Sequence, residues 1–235
     1  MAAFVASMNA KSSEMGLDPQ TIWMNPSGRE DDGVSYSTAK SLAIMTAFAS
    51  GYPELCEIWS KSSHVVKRKD KQDITVTSSV FTNNVLTNSY PILGGKTGSG
   101  FNLERTFEYN TLVAITEING HLIAGAIMDA TSASDRFNAM KQLFEATEAT
   151  MNGTTPSPIT YATKACSVYV PSCPRTYLAD KFTVIYTQNE NTATGTMSVA
   201  KVMTAMIVLD NLTDINKSIK IASADLIGGS GAFFL

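Results

Sequence analysis

The sequence predicts an α/β (α+β) chain in which an antiparallel sheet is covered by helices, and three observations carry that expectation. Asn119-Gly120, the favoured type I′ hairpin pair, joins two apolar runs at about 109–117 and 121–128. Helical spacing of apolar residues occurs at 4–15 and 37–50, and a long apolar helix is expected from about 197 to 212. The strand runs are segregated from the helical runs, as in sheets with helices laid on their faces.

The elements follow in order. The first helix (4–15) is separated from the second (37–50) by Asn25-Pro26-Ser27-Gly28, a strong turn signal. In the second, Ala39, Leu42, Ala43, Thr46 and Ala47 line one face behind the cap residues Ser37 and Thr38. Residues 63–77 read as two short strands around the charged run Lys67, Arg68, Lys69 and Lys71, a solvated edge that discourages further pairing. After the 119–120 hairpin, Ser132 or Ser134 caps a helix through Phe137, Met140, Leu143 and Phe144 that ends near Gly153. The stretch 151–162, rich in Gly, Thr and Pro, reads as a linker between parts 1–150 and 163–235. Strands near 165–170 and 181–187 precede the last helix. Neither part has a full sheet of its own, so both are expected to pack as one domain spanning 1–235.

Composition narrows the function. Of 235 residues, 44% are hydrophobic and 17% charged, below the ~25% charged share typical of soluble domains, which excludes a disordered chain. A net charge of −3 argues against a nucleic-acid partner. No apolar run approaches the ~18 residues of a membrane span, and the opening Met1-Ala2-Ala3-Phe4-Val5-Ala6 lacks the positive region of a signal peptide. Two histidines and three cysteines do not make a Cys/His zinc cluster, so no metal is expected. Cys166 and Cys173 are placed either to pair or, by preference, to remain two buried free thiols, with Cys56 left over. His64 and His121 read as surface residues, which leaves a Ser-His-Asp triad without support, and Glu54 and Glu57 fit a helix face better than a paired-carboxylate site.

Two segments carry chemistry. In Ser198-Val199-Ala200-Lys201, three residues of helix put hydroxyl and ammonium on one face. The apolar Val199, Val202, Met203, Met206 and Leu209 would partly desolvate Lys201, lowering its pKa toward that of a base able to deprotonate serine. Gly94-Gly95-Lys96-Thr97-Gly98-Ser99-Gly100 combines close backbone approach with a cation and hydroxyls suited to a carboxylate, and lacks the spacing of a phosphate-binding loop. Alone, the first is equally an ordinary helix start with a snorkelling lysine, and the second a flexible glycine-rich turn.

Together, Ser-x-x-Lys and Lys-Thr-Gly mark penicillin-binding and β-lactamase enzymes. Further segments agree: Phe4-Val5-x-x-Met8-Asn9-x-Lys11, Leu17, Asn25-Pro26-Ser27-Gly28, Tyr36-Ser37-Thr38-Ala39-x-x-Leu42-Ala43, Ser198-x-x-Lys201-x-Met203-Thr204-Ala205 and Gly228-Gly229-Ser230-Gly231. With these the chain resembles the D-alanyl-D-alanine carboxypeptidases, serine-type penicillin-binding proteins, over nearly everything except 151–162. The resemblance implies a β-lactamase/transpeptidase-like fold with a partial helical subdomain, an extracytoplasmic location, and peptidoglycan stem peptides and β-lactams as partners. It also implies Ser198 as nucleophile, Lys201 as general base, Lys96, Thr97, Gly98 and Ser99 as substrate-binding residues, and no cofactor.

Two departures stand out. The family runs from Ser-x-x-Lys to Lys-Thr-Gly, whereas here Lys96 precedes Ser198, so the order is circularly permuted, or spans a tandem junction, or comes from a misassembled or partial gene. The family's middle Ser-x-Asn motif is missing from its place, and Ser7-Met8-Asn9, which matches its letters, aligns elsewhere. These departures keep two alternatives in play: a catalytically impaired module that binds cell-wall peptide, or a fragment of a tandem protein. A class A β-lactamase fits less well, because no Glu-x-x-Leu-Asn element is present.

Overall fold

A computed structural model describes residues 1–67 and 72–215 of the chain. In chain order these form α1 (Ala2–Met15), β1 (Tyr36–Ser37), α2 (Ala39–Ala49), α3 (Pro53–Trp59), β2 (Ser63–Val66), β3 (Ile74–Thr77), α4 (Asn84–Thr87), β4 (Ile92–Phe101), β5 (Glu108–Ile118), β6 (His121–Ala130), α5 (Asp135–Met151), β7 (Ala162–Tyr169), β8 (Val184–Gln188), β9 (Thr194–Gly195) and α6 (Ala200–Asn211). The central sheet has the order β4-β5-β6-β7-β8 with every neighbour antiparallel. Helices flank it, as the sequence predicts.

Alternation along the strands builds two cores, because successive side chains point to opposite faces. Leu112, Ala114, Ile123, Ile127 and Ala165 meet Phe137, Met140, Leu143 and Phe144 of α5. Val113, Ile115, Ala124, Ala126, Met128, Cys166 and Val168 face α2, with α1 and α6 completing that core. Each apolar side chain taken out of water this way contributes roughly 1.5–3 kcal/mol. A buried hydroxyl pair, Thr147 Oγ1 to Ser167 Oγ at 2.7 Å, fixes α5 on β7.

Local signals explain most boundaries. Asn119 (φ 52°) and Gly120 (φ 76°) make the β5–β6 turn, with Ile118 opposite His121. Thr38 Oγ1 accepts a hydrogen bond from Ser41 N at 3.1 Å and caps α2, whereas Ser37 lies in β1. Ser132 Oγ accepts from Asp135 N at 3.1 Å, so Ser132 and not Ser134 supplies the side-chain cap of α5.

The glycine-rich 94–100 segment is strand, pairing residue by residue with β5 from Gly94↔Ile115 to Phe101↔Glu108, as the close-approach reading of its glycines expects and the flexible-turn alternative does not. Other expectations are corrected. The 151–162 stretch includes the end of α5 and the start of β7, so less of it is connection. The strand expected from 181 starts at Val184, since Ala179–Lys181 is a 3₁₀ turn, and the last helix opens with a 3₁₀ turn at Met197–Val199. All three cysteines are free; Cys166 is buried in the sheet, but Cys173 is exposed because it lies beyond β7 beside the Pro174–Thr176 turn. Arg68, Lys69, Lys71 and Gly228–Gly231 lie outside the described residues, while Lys67 pairs with Asp73 at 2.5 Å.

Both parts of the chain contribute to the same sheets. β7 pairs with β6, and β9 pairs with β1 through Tyr36↔Gly195 and Ser37↔Thr194. A buried ion pair joins Lys164 to Asp129, whose other carboxylate oxygen accepts from Thr194 Oγ1 at 2.8 Å. At the far end of α6, Asp210 receives Lys11 Nζ at 2.7 Å, Tyr52 OH at 2.9 Å and Arg175 Nη2 at 3.1 Å, so one carboxylate ties α1, the α2–α3 junction and the 174–176 turn.

Candidate active site

The Met197–Val199 turn sets Ser198 at the start of α6. Met197 has φ 47°, a left-handed conformation that costs a non-glycine residue about 1–3 kcal/mol and persists only where its surroundings enforce it. Gly28 (φ 72°) crowds it from one side: a Cβ there would lie 1.9 Å from the Met197 carbonyl oxygen. Gly98 closes in from β4, where a Cβ would lie 2.7 Å from Thr196 O and 3.2 Å from Ser198 N. Glycine is therefore required on both sides of the serine turn.

Lys201 Nζ donates to Ser198 Oγ at 2.8 Å and to Ser27 O at 2.6 Å. The second contact is made by the turn that the sequence marks at 25–28. Asn25 Oδ1 accepts from the N–H groups of Ser27, Gly28 and Arg29, and its Nδ2 donates to Arg29 O and Gly33 O, which fixes the turn from within. Its carbonyls then meet α6, since Thr204 Oγ1 also donates to Pro26 O at 2.6 Å. Partial burial, reinforced by the positive charge of Arg29, lowers the pKa of Lys201.

β4 is an edge strand beside this turn, and its two faces do different things. Gly98 and Gly100 share a face that abuts Thr196, Met197 and Ser198, and by alternation Lys96 shares it. Lys96 Nζ donates to Thr97 O at 2.7 Å, and its pKa falls to about 8 through burial first, then the charges of Lys201 and Arg136. Thr97 and Ser99 project to the other face. There Thr97 Oγ1 lies 3.1 Å from Ser79 Oγ, and Arg136 Nη1 donates to Ser99 Oγ at 2.7 Å and Gly98 O at 3.1 Å.

Arg136 was not a candidate in the sequence, where it is one basic residue in the first turn of a helix. Its pKa is lowered by burial, and its Nε is buried without a hydrogen-bond partner.

Ser198, Lys201 and Ser99 line a cleft of about 290 Å³ with Gly28, Arg29, Glu30, Asp31 and Arg105. Lys96 lines a neighbouring groove of about 480 Å³ over Trp59 and Val76. The structure thus joins Ser198 to Lys201 by a hydrogen bond and brings the Gly98 strand against them, and it places Lys96 beside, rather than in, the serine cleft. Ser7 is exposed on α1, and Asn9 is spent on Trp23, donating to its O at 2.9 Å and accepting from its N at 2.9 Å. His64 and His121 are exposed. Among the described residues no group of three or more His, Cys, Asp or Glu is arranged to hold a metal ion, and no helix is long and apolar enough to cross a membrane.

Residues 1–132 match the family model described as D-alanyl-D-alanine carboxypeptidase, more than half of the chain, with Lys96–Ser99 inside the matched span and Ser198 and Lys201 beyond it. No curated protein and no solved structure matches the chain.

Proposed function

The chain belongs to the D-alanyl-D-alanine carboxypeptidase family, and from that premise we propose that it cleaves the terminal D-alanine from peptidoglycan stem peptides through an acyl-enzyme on Ser198. One observation carries the reading: the 2.8 Å hydrogen bond between Lys201 Nζ and Ser198 Oγ, held against the Lys96-Thr97-Gly98 strand. Lys201 must be neutral to accept a proton, and its lowered pKa favours that form.

Ser198 Oγ attacks the carbonyl carbon of the penultimate D-alanine while Lys201 Nζ takes the hydroxyl proton. The N–H groups of Ser198 and Ser99 receive the developing oxyanion; Ser198 sits in a first helical turn, whose N–H groups have no partner within the helix. The C–N bond breaks, the proton on Lys201 passes to the departing amine, and D-alanine leaves. Water then hydrolyses the ester and regenerates Ser198. Lys96 and Thr97 hold the terminal carboxylate with Arg136, whose guanidinium lies against Gly98 and Ser99 of the same strand. A β-lactam, with its reactive amide and carboxylate, enters the same route and leaves a stable ester. The route needs neither metal nor organic cofactor, and its substrate places the protein outside the cytoplasm, at the cell envelope.

The test is release of D-alanine from an Nα,Nε-diacetylated lysyl-D-alanyl-D-alanine peptide, run beside hydrolysis of a cephalosporin. Peptide turnover exceeding cephalosporin turnover is the expected result. Preferential cephalosporin turnover would make the chain a β-lactamase, and reversible peptide binding without turnover would make it a binding module.

A further inference from the structure

Gly28 and Gly98 make room for the strained Met197 turn, but room alone does not hold a residue in a left-handed conformation. The chain enters the turn from β9, which pairs with β1 over two residues, Tyr36↔Gly195 and Ser37↔Thr194. A ladder this short has little stability of its own. Side chains supply the rest. Thr111 Oγ1 donates to Gly195 O at 3.2 Å, and Thr196 donates to Ser35 O from its N at 2.9 Å and from its Oγ1 at 3.3 Å. Thr194, 6% exposed, donates from Oγ1 to Asp129 Oδ1 at 2.8 Å.

The Asp129 contact differs from the others in what its surroundings sacrifice to make it. Asp129 is itself left-handed, with φ 51°, a conformation that non-glycine residues adopt rarely. Its carboxylate is buried, and Oδ2 is neutralised by Lys164 Nζ from β7. A buried ion pair contributes little net stability, because desolvation offsets the attraction. The arrangement does provide a fixed acceptor: Lys164 holds one carboxylate oxygen and the other receives Thr194. A hydrogen bond to a charged acceptor is also stronger than one between neutral groups. This tether lies four residues before Ser198, on the segment whose register with β1 leads into the Met197 turn.

We infer that Asp129 and Thr194 are positioning residues for Ser198: the buried carboxylate, oriented by Lys164, anchors β9 so that the strained turn keeps the serine hydroxyl within hydrogen-bond reach of Lys201. Neither residue lines the serine cleft. The effect on acylation rests on the acyl-enzyme reading above; the effect on the turn does not.

The experiment compares the full chain with Thr194→Val, which keeps the shape of the side chain and removes the donor, and with Thr194→Ser, which restores the donor. Thr147→Val, which breaks the buried hydroxyl pair between α5 and β7, controls for lost stability. Stopped-flow acylation by benzylpenicillin at several concentrations separates affinity for the noncovalent complex from the acylation step. Thr194→Val should slow that step about tenfold or more and leave the affinity unchanged. Thr194→Ser should recover the wild-type rate, and Thr147→Val should not alter it. The second readout is the Met197 methyl signal in chains labelled with methyl-13C-methionine and assigned with Met197→Leu. Met197 packs against Tyr109 and Val34, so the aromatic ring displaces this signal; Thr194→Val should move it and Thr194→Ser should not. If the valine variant does not melt cooperatively, Thr194→Ala, which adds no bulk, carries the same expectations. Wild-type acylation in Thr194→Val, equal slowing in Thr147→Val, no recovery in Thr194→Ser or an unmoved Met197 signal would each overturn the inference. If the Met197 signal behaves as expected while no chain is acylated, the tether stands and the acyl-enzyme reading falls.

Discussion

Replacing Lys96 with methionine should make the protein more stable and less able to use its substrate. Lys96 is largely buried, its Nζ has a backbone carbonyl as partner, and the charges acting on it, Lys201 and Arg136, are both positive. Its pKa is 10.5 in a free chain and about 8 in the fold. Between those values the unfolded chain binds more protons than the folded one, so stability rises with pH across that window. Below about pH 8 the charged lysine costs the fold about 3 kcal/mol, a penalty that shrinks to about half at pH 9.5 and vanishes above the unfolded pKa. Methionine fills similar space without charge. Urea unfolding at pH 7 and 9.5 should show Lys96→Met gaining up to about 3 kcal/mol at the lower pH and about half that at the higher. Acylation by a carboxylate-bearing penicillin should fall about tenfold or more, the loss of one charge-assisted contact. A variant that is less stable than wild type at pH 7, or whose advantage grows with pH, would refute the reasoning.

Gly98→Ala puts a Cβ 2.7 Å from Thr196 O, so the serine turn must shift; acylation should slow at least tenfold while the circular dichroism spectrum stays that of the native fold. The acylation rate should rise with pH and level off below the pH at which an ordinary lysine deprotonates, because burial and Arg29 lower the Lys201 pKa; stopped-flow acylation across pH 6–10 reads this directly. Asp210→Asn weakens the tie among Lys11, Tyr52 and Arg175 and should lower stability by about 1–3 kcal/mol in denaturant titration, without changing the acylation rate.

Much of the architecture was legible because its signals are local. The Asn119-Gly120 turn, the Thr38 cap and the period-two pattern of β5 and β6 each depend on a few adjacent residues. The spacing of Ser198 and Lys201 was equally local, and their hydrogen bond follows from one helical turn. What was not legible depends on chain-distant contacts. The 25–28 turn stands out in the sequence, but nothing there says that Ser27 O, 174 residues away, receives Lys201 Nζ. Arg136 acquires its interest only when α5 lands beside β4 and strips its guanidinium of water. Lys96 and Thr97, adjacent in sequence, suggest one carboxylate clamp; strand alternation sends them to opposite faces, so a substrate must bridge the strand edge to touch both.

Mass spectrometry of the full chain after incubation with a penicillin reports on the nucleophile itself. A single covalent adduct is expected, located by peptide mapping on Ser198 and absent from Ser198→Ala. An adduct that survives Ser198→Ala, or maps to Ser7, Ser27 or Ser99, would contradict the assignment of Ser198 and Lys201 as nucleophile and base.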